Sequence, residues 1–133
     1  MQRRARSPFN TASSADRRRN SERRGRRAEM IAIALLTLKG YRLLGRRVKS
    51  PYGEIDIIAV RGRRLAFIEV KQRSGTDAAR AAITQHQTSR IENAVEHWLA
   101  RHPRYRSHRI GLDAVLVTRR CWPTHVPQAL HAW

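Results

Sequence analysis

Two strand-like runs that carry charged residues inside apolar sequence most constrain the fold of this chain. The run 54–60 is rich in β-branched residues and holds Asp56, and the run 64–71 holds Glu69 and ends on Lys71. The short glycine-containing turn between them predicts a β-hairpin. Charged side chains seldom lie inside apolar strands unless a partner offsets the cost of removing them from water. A divalent cation together with a phosphodiester is such a partner.

The side chains of the hairpin are expected to converge at one place. Because side chains alternate across a strand, Asp56 shares a face with Glu54, and Glu69 shares a face with Lys71. If the hairpin pairs so that these faces coincide, Asp56 and Glu69 meet with Lys71 nearby. Two carboxylates form a small site of hard oxygen ligands, which suits Mg²⁺ or Mn²⁺. Such a metal would polarise a phosphate and activate a water, and Lys71 would orient that water or neutralise phosphoryl charge.

The charge of the chain predicts a polyanionic partner. Its 133 residues include 28 Lys+Arg against 10 Asp+Glu, a formal net charge of +18. Each phosphate neutralised by a basic side chain releases counterions, so nucleic acid is the expected partner. The one cysteine, Cys121, excludes a disulfide within the chain and fits a reducing, cytoplasmic location. The longest nearly apolar run, 30–38, is too short to span a bilayer, so no membrane association is expected.

Hydrophobic periodicity and turn residues predict an α/β sandwich around a central mixed sheet flanked by helices, in the order α-β-β-β-α-β. Residues 1–21 are predicted to be a disordered basic arm and residues 22–133 a single domain. Gly40 is expected to cap the first helix, and residues 119–133 are expected to form an irregular tail. The predicted elements are a helix from residues 21–27 to 39, strands over 41–49, 54–60 and 64–71, a helix over 83–100 and a strand over 110–118.

Several short motifs recur in an order and spacing that resemble a known family. The chain resembles the YraN family of small bacterial proteins and, more broadly, the PD-(D/E)xK nuclease superfamily with its Holliday-junction-resolvase branch. The resemblance covers roughly residues 22–133. The positions that carry it are Gly25, Glu29, Gly40-Tyr41, Gly53-Glu54-Ile55-Asp56, Phe67-Ile68-Glu69-Val70-Lys71 with Arg73, Arg90, Asp113 with Val115, and His125-Val126-Pro127 with Ala129.

The resemblance implies a restriction-endonuclease-like fold and a set of site residues. In the superfamily, the aspartate of the second strand and the glutamate of the Glu-x-Lys motif bind metal, and the lysine of that motif is catalytic. Carried over to this chain, Asp56 and Glu69 are the metal ligands and Lys71 is the catalytic lysine. Glu29 matches a helical acid that completes the site, and the backbone carbonyl of Val70 is a further ligand. The implied cofactor is Mg²⁺ or Mn²⁺, and the resemblance to dimeric nucleases implies a homodimer as one arrangement.

Three residues are candidates for contact with nucleic acid. Arg73 follows the third predicted strand and is expected to touch phosphate. Tyr52 lies beside the turn at Gly53, at the mouth of the proposed site, where its ring would stack on a base. Arg90 lies on the second predicted helix and matches the family pattern.

The function predicted from these features is Mg²⁺-dependent endonucleolytic hydrolysis of phosphodiester bonds in DNA, with branched or single-stranded DNA as candidate substrates. The alternative is a non-catalytic nucleic-acid-binding module that keeps the nuclease fold. The basic arm is one motive for that alternative. The other is that the family's second helix usually opens with a basic run, and the corresponding residues here are Thr84-Gln85-His86-Gln87. A third interpretation, a ribosome- or RNA-associated protein, requires only the charge and leaves the Glu-x-Lys motif unexplained.

Structural roles remain open for the acidic residues. Asp56 and Glu69 would also be stable as partners of arginines across strands. Glu29 near the start of a helix would favour the helix dipole without any further function. Glu54 is expected to form a salt bridge at the hairpin end rather than to bind metal. Asp113, inside an apolar strand, is expected to pair with a buried arginine.

Overall fold

The computed structural model describes residues 14–72, 85–119 and 122–129. The described residues form a five-stranded sheet with a helix packed on each face. In chain order the elements are α1 (Ser14–Leu38), β1 (Arg42–Ser50), β2 (Gly53–Arg61), β3 (Arg64–Gln72), α2 (Gln85–Arg101), a 3₁₀ turn (Pro103–Tyr105), β4 (Arg109–Val117) and β5 (Thr124–Val126).

The sheet is mixed, as predicted. Its strand order is β1-β2-β3-β4-β5, and β1, β2 and β3 form an antiparallel meander. β3 and β4 are parallel, with Ile68 opposite Asp113, and the chain between them passes through α2. Two neighbouring strands that run in the same direction cannot be joined by a tight turn, so they require a crossover connection such as α2. The architecture agrees with the predicted restriction-endonuclease-like sandwich.

α1 packs on one face of the sheet through small side chains at helical spacing. Ala28, Ala32 and Leu36 are each at most 2% exposed. Their spacing of four residues puts them on one stripe of the helix. Alanines allow the helix axis to lie close to the strands. The sheet residues in this cluster are Ile57, Ala59, Ala66, Ile68, Val115 and Val117.

α2 packs on the opposite face with larger side chains. The Trp98 ring lies edge-on to Phe67, with 5.5 Å between ring centroids. Trp98 is buried and belongs to the core. The cluster on this face also contains Ile55, Ile58, Val60, Leu65, Ala94, Val95, Leu99, Tyr105 and Leu112.

α1 begins at Ser14, earlier than the predicted start between residues 21 and 27, which was wrong. Its first half is polar, with exposed arginines at Arg18, Arg19 and Arg23. Arginine, glutamate and alanine favour the helical conformation whether or not they pack against a core. A polar segment rich in these residues can therefore be helical without an apolar stripe. Residues 1–13 lie outside the described residues, and the predicted division at residue 21 stays a prediction. Neither described helix has an apolar stretch that could cross a bilayer.

Gly40 ends α1 as predicted. It has φ +92°, in the region that favours glycine. The Tyr41 N–H donates to the Leu36 carbonyl at 2.9 Å, and the Gly40 N–H donates to the Thr37 carbonyl at 3.0 Å. This pair of hydrogen bonds is a Schellman motif, which satisfies carbonyls at the helix end and directs the chain into β1.

A short strand replaces part of the predicted irregular tail. β5 pairs antiparallel with β4, with Val126 opposite Ala114 and Thr124 opposite Leu116. The expectation of irregular structure was therefore wrong at this place. Three residues between Pro123 and Pro127 are too few to show alternation in the sequence. Prolines are tolerated beside an edge strand, where no second neighbour requires their missing N–H.

Candidate metal centre

A cleft between α1 and the sheet collects acidic side chains. It has a volume of about 500 Å³, and Glu29, Glu54 and Asp56 line it. We call it the α1 cleft. Glu29 comes from the middle of α1, and the other two come from the first half of β2. The remaining described lining residues are Glu22, Gly25, Arg26, Ala28, Arg47, Lys49, Val70 and Gln72.

Asp56 lies where the side-chain alternation of β2 is interrupted. Ile55 packs in the α2 cluster, yet Ile57, two residues further on, packs in the α1 cluster. In a regular strand these two side chains would share a face. Asp56 therefore lies at the change of face, and it lines both the α1 cleft and a small cavity on the α2 side that Glu69 also lines. The structure thus brings Asp56 and Glu69 to one cavity, as the hairpin pattern predicted.

The Asp56 carboxylate takes over a hydrogen bond from the sheet. The β2–β3 ladder runs from Arg61 opposite Arg64 to Ile57 opposite Ile68 and stops there. Beyond that point the Val70 N–H donates to Asp56 Oδ2 at 2.8 Å. A buried backbone donor needs a partner, and the carboxylate supplies it. This bond fixes the carboxylate at the open end of the β2–β3 hairpin, away from the turn at Gly62.

The environment of Asp56 disfavours its charge. Burial is the largest cause and raises the pKa of Asp56 to about 6, against the opposing effect of the Val70 hydrogen bond. The negative charges of Glu69, Glu29 and Glu54 raise it further. Like charges gathered in a partly buried place are a common feature of sites that bind a cation. A bound cation would reverse this penalty.

Glu29 is buried and only partly satisfied. It is 6% exposed, and Arg47 Nε donates to its Oε2 at 2.8 Å. Its other oxygen, Oε1, has an ionic contact with Arg46 Nε at 3.5 Å. That oxygen is buried and has no hydrogen-bond partner among the described residues. A buried carboxylate oxygen without a hydrogen bond is costly, and the Arg46 contact at 3.5 Å offsets that cost only in part.

Arg47 holds Glu29 from a strained backbone position. Its φ is +51°, which is uncommon for a residue other than glycine. Its neighbours Arg46 and Val48 pair with Ile57 and Ile55, so Arg47 lies across the sheet from Asp56. The irregularities of β1 and β2 therefore coincide beside the acidic cleft. Sequence reasoning did not single out either arginine, because nothing in an arginine-rich strand marks two members as partners of a helical acid.

Glu69 and Lys71 form an ion pair with 2.8 Å between Glu69 Oε1 and Lys71 Nζ. Their side chains are 21% and 15% exposed, so the pair is partly shielded from water. Both follow Phe67 at two-residue spacing on the face that packs against α2. Lys71 thus lies beside the Glu-x-Lys acid, as the sequence motif requires. In this arrangement its ammonium neutralises Glu69.

A second cleft, the α2 cleft, adjoins Glu69. Tyr52, Gly53, Glu54 and Arg90 line it together with Glu69, and its volume is about 180 Å³. Arg90 Nε donates to the Tyr52 carbonyl at 3.3 Å. The Tyr52 side chain is 47% exposed. Tyr52 and Arg90 are therefore neighbours at the mouth of the site, whereas Arg73 lies outside the described residues.

The donor set fits a cation that retains much of its water. Within residues 14–72, 85–119 and 122–129, no three Asp, Glu, His or Cys side chains converge closely enough to form a site of three protein ligands. Mg²⁺ is commonly held by one or two carboxylates together with waters and substrate phosphates. The carboxylates of Glu29 and Asp56 are oxygen ligands of the type that it takes, and the pKa of Asp56 is raised. The residues present therefore fit Mg²⁺ or Mn²⁺ with a small protein ligand set.

Glu54 differs from its expected role. Among the described residues, no basic group lies within 4 Å of its carboxylate, so the predicted hairpin-end salt bridge is absent there. Its exposed side chain lines both the α1 cleft and the α2 cleft. Glu54 therefore adds negative charge to both clefts.

Asp113 belongs to a separate, fully paired network. Its buried carboxylate accepts two hydrogen bonds from Arg64, at 2.7 and 2.8 Å, which confirms the expected pairing with an arginine. His125 Nε2 on β5 lies 2.7 Å from Asp113 Oδ2, and the Gln128 N–H donates to Oδ1 at 3.0 Å. Burial opposes ionisation, but these hydrogen bonds outweigh it and lower the pKa of Asp113 to about 2. The network joins β3, β4 and β5, and His125 had no predicted role beyond the family motif.

Comparison with known proteins identifies a family. The model of the uncharacterised protein family UPF0102 matches residues 28–117, which include Glu29, Asp56, Glu69, Lys71 and Asp113. A UPF0102 protein of Methylorubrum extorquens (strain PA1) is 48% identical over 113 residues, covering 85% of this chain and 88% of that protein. One of Rhodopseudomonas palustris (strain BisB18) is 44% identical over 128 residues, covering 96% and 94%. One of Parvibaculum lavamentivorans is 47% identical over 107 residues, covering 80% of each chain.

Proposed function

The chain belongs to the uncharacterised protein family UPF0102, the YraN family expected from its motifs, and we propose that it is a metal-dependent endonuclease that hydrolyses phosphodiester bonds in DNA. The observation that carries the proposal is the pair of acids in the α1 cleft: Glu29, whose buried Oε1 has no hydrogen bond among the described residues, and Asp56, whose pKa is raised. Both features are unfavourable in the protein alone. Both become favourable when a divalent cation is bound.

The cation would be held by two carboxylates together with water, because no three acidic side chains converge among the described residues. Asp56 and Glu29, which share the α1 cleft, are the first candidates, and Glu69 and the Val70 carbonyl are alternative ligands. Bound there, Mg²⁺ or Mn²⁺ would supply Lewis-acid stabilisation of phosphoryl charge and lower the pKa of a coordinated water. The protein contributes the fixed carboxylates of a shaped, partly shielded cleft.

The ion pair with Glu69 holds the Lys71 ammonium in position for a role in hydrolysis. Its Nζ, 2.8 Å from Glu69 Oε1, is a donor held in place before any substrate arrives. If Glu69 held a cation, the Lys71 ammonium would be free to donate to a phosphoryl oxygen or to orient the attacking water. A positioned ammonium of this kind stabilises charge that develops during phosphodiester hydrolysis.

The charge distribution supports nucleic acid as the substrate. The net charge of +18 favours any phosphate backbone. The first half of α1 borders the acidic cleft through Glu22, Gly25 and Arg26 and presents exposed arginines at Arg19 and Arg23. A strand of DNA that enters the cleft would thus meet basic side chains before it meets the carboxylates. DNA rather than RNA is the choice that the nuclease resemblance favours.

The test is a cleavage assay on linear duplex, single strand, flap and four-way-junction DNA, each with Mg²⁺, Mn²⁺ or EDTA. We expect metal-dependent cutting that is lost in Asp56→Asn and Glu69→Gln, with DNA binding retained. Glu96→Gln, at an exposed position on α2, removes the same charge away from the site and should cut normally. Cleavage in EDTA, or cleavage that survives both site variants, would refute the proposal.

A non-catalytic nucleic-acid-binding module is the second candidate. The observation that favours it is the Glu69–Lys71 ion pair, in which each group satisfies the other without a metal. This candidate predicts salt-sensitive DNA binding with neither cleavage nor site-specific metal binding. A Mn²⁺ titration followed by electron paramagnetic resonance separates the two. One bound Mn²⁺ that disappears in Asp56→Asn would exclude the module, whereas no saturable Mn²⁺ binding would favour it.

A further inference from the structure

A basic cleft lies at the other end of the β2–β3 hairpin from the acidic site. Three arginines, Arg42, Arg61 and Arg104, line it together with His108. None of its described lining residues is acidic, and its volume is about 410 Å³. We call it the hairpin-end cleft. Gly40, Gly62, Val60 and Tyr105 complete its described lining.

Two of the arginines are held in position by tyrosine rings. The Arg61 guanidinium lies 4.7 Å from the centroid of the Tyr41 ring, and its Nη1 donates to the Lys39 carbonyl at 3.2 Å. The Arg104 guanidinium lies 5.2 Å from the centroid of the Tyr105 ring. Stacking over an aromatic face restrains a guanidinium and leaves its in-plane N–H groups free to donate. Such pre-positioned donors suit a tetrahedral anion.

His108 offers a buried polar atom with no partner. Its Nδ1 is buried, yet it has no hydrogen-bond partner among the described residues. The ring packs against Tyr105, with 5.1 Å between centroids, and the His108 N–H donates to the Tyr105 carbonyl. The imidazole therefore lies beside Tyr105 in the wall of the cleft. A buried nitrogen without a partner is expected to be satisfied by a ligand or by water.

We propose that the hairpin-end cleft is a phosphate-binding site formed by Arg42, Arg61, Arg104 and His108. Three cationic donors and an imidazole around one space, with no acidic residue in its described lining, match a phosphoryl group bearing one or two negative charges. Asp56 and Arg61 are five residues apart on β2, which at about 3.3 Å per residue separates the two sites by roughly 17 Å. The hairpin-end cleft is therefore distinct from the metal centre, and it does not depend on nuclease activity.

Two sources can supply the phosphoryl group: a terminal or free phosphate, or a phosphodiester within a nucleic-acid strand. A terminal phosphate has more charge and all its non-bridging oxygens accessible. An internal phosphodiester has one charge and brings neighbouring nucleotides with it. Inorganic phosphate, a 5′-phosphorylated oligonucleotide and the same oligonucleotide with a 5′-hydroxyl distinguish these sources.

The experiment titrates full-length protein with each of the three probes in EDTA, so that the metal centre plays no part. Binding is followed by the ring signals of His108 in NMR spectra and by oligonucleotide fluorescence anisotropy. Arg104→Gln and Arg42→Gln each remove an exposed donor of the cleft. Arg63→Gln is the matched control, because Arg63 is an exposed arginine of the same hairpin that does not line the cleft.

We expect the His108 ring signals to shift on saturation with phosphate or oligonucleotide. Arg104→Gln and Arg42→Gln should each weaken binding about tenfold, as for loss of one charge-assisted hydrogen bond, and Arg63→Gln by less than about twofold. A preference for the 5′-phosphorylated strand that Arg104→Gln removes identifies a terminal phosphate. Equal weakening for both strands identifies an internal phosphodiester.

The proposal is overturned if the His108 ring signals stay unchanged with every probe. It is also overturned if Arg63→Gln weakens binding as much as Arg104→Gln and Arg42→Gln do. That result would mean that the net positive charge, rather than this cleft, attracts the probe. Because all arms contain EDTA, Asp56→Asn should bind like the wild type, and the outcome is independent of cleavage.

Discussion

At the scale of single residues, two partly or fully buried aspartates have opposite electrostatic environments. Asp113 accepts hydrogen bonds from Arg64 and the Gln128 N–H and contacts His125, so its ionised form is favoured. Asp56 accepts one backbone hydrogen bond and lies among other acids, so its ionised form is disfavoured. The first is a structural charge with partners in place. The second has no salt bridge among the described residues, and its role as a metal ligand is proposed for that reason.

Asp56→Asn should stabilise the metal-free protein at neutral pH. The folded-state pKa of about 6 lies above the unfolded value near 3.9, so ionising Asp56 costs stability as pH rises from about 4 to 6. A pKa difference of that size corresponds to at most about 3 kcal/mol. Asparagine removes the charge and keeps an oxygen for the Val70 N–H. In urea unfolding with EDTA, we expect a gain at pH 7.5 and little change at pH 3.5.

Glu96→Gln serves as the control for that measurement, because Glu96 is exposed and removing its charge should alter the free energy of unfolding little. A loss of stability in Asp56→Asn at pH 7.5 would contradict the unfavourable environment assigned to the Asp56 carboxylate.

Asp113→Asn should destabilise the protein at neutral pH by about 3 kcal/mol, because it leaves the Arg64 guanidinium without its charged partner. The pKa of Asp113 is lowered to about 2, so the stability from its pairing is present above about pH 4 and is lost as pH falls through 2. The difference between wild type and variant in urea unfolding should therefore shrink on acidification. A variant as stable as the wild type at pH 7 would be incompatible with the structural role of Asp113.

At the scale of secondary-structure elements, much of the fold could be predicted from local patterns. The helical stripe of Ala28, Ala32 and Leu36, the turn at Gly62 and the cap at Gly40 each follow from residue type and spacing. Two features could not be predicted in this way. The polar half of α1 shows no apolar stripe in the sequence, and β5 depends on pairing with β4, with Val126 opposite Ala114 and Thr124 opposite Leu116.

The candidate site was predictable in its members and not in its geometry. Asp56 and Glu69 follow from charged residues in apolar strands. The change of face at Asp56 depends on a hydrogen bond from Val70, which strand alternation does not encode. The pairing of Glu29 with Arg47 depends on a positive φ within β1, which sequence does not signal at an arginine. Both features require the assembled sheet.

The turn into β2 gives a prediction at this scale. Gly53 has φ +127°, and an added Cβ would lie 3.3 Å from Arg90 Nη2. Gly53→Ala should therefore lower the free energy of unfolding by about 1–2 kcal/mol. Gly25→Ala is the matched control, because a Cβ there meets nothing within 4 Å and alanine favours the interior of α1. Thermal unfolding should show a lower Tm for the first variant and an equal or higher Tm for the second. The reverse order would be inconsistent with the strain assigned to Gly53.

At the scale of the whole molecule, two kinds of site lie at opposite ends of β2. Carboxylates gather at the start of β2, and arginines gather at its end around the hairpin-end cleft. The net charge of +18 favours a polyanion as the partner. In the proposed function, a phosphate of that polyanion would meet a bound cation in the α1 cleft, which acidic and basic side chains line together. Positive charge alone would give nucleic-acid binding without hydrolysis. The carboxylates and Lys71 therefore distinguish the proposed nuclease from the non-catalytic binding module.

The most direct test of a catalytic Lys71 compares the wild type, Lys71→Ala and Lys71→Arg on the DNA substrate cut best in the panel, with Mg²⁺ and with EDTA. We expect Mg²⁺-dependent cutting by the wild type and a loss of about 100-fold or more in Lys71→Ala with DNA affinity retained. Lys71→Arg keeps the charge but alters the donor geometry, so its cleavage should stay well below that of the wild type. Cutting by Lys71→Ala at the wild-type rate, or no cutting of any substrate by the wild type, would contradict the proposed nuclease.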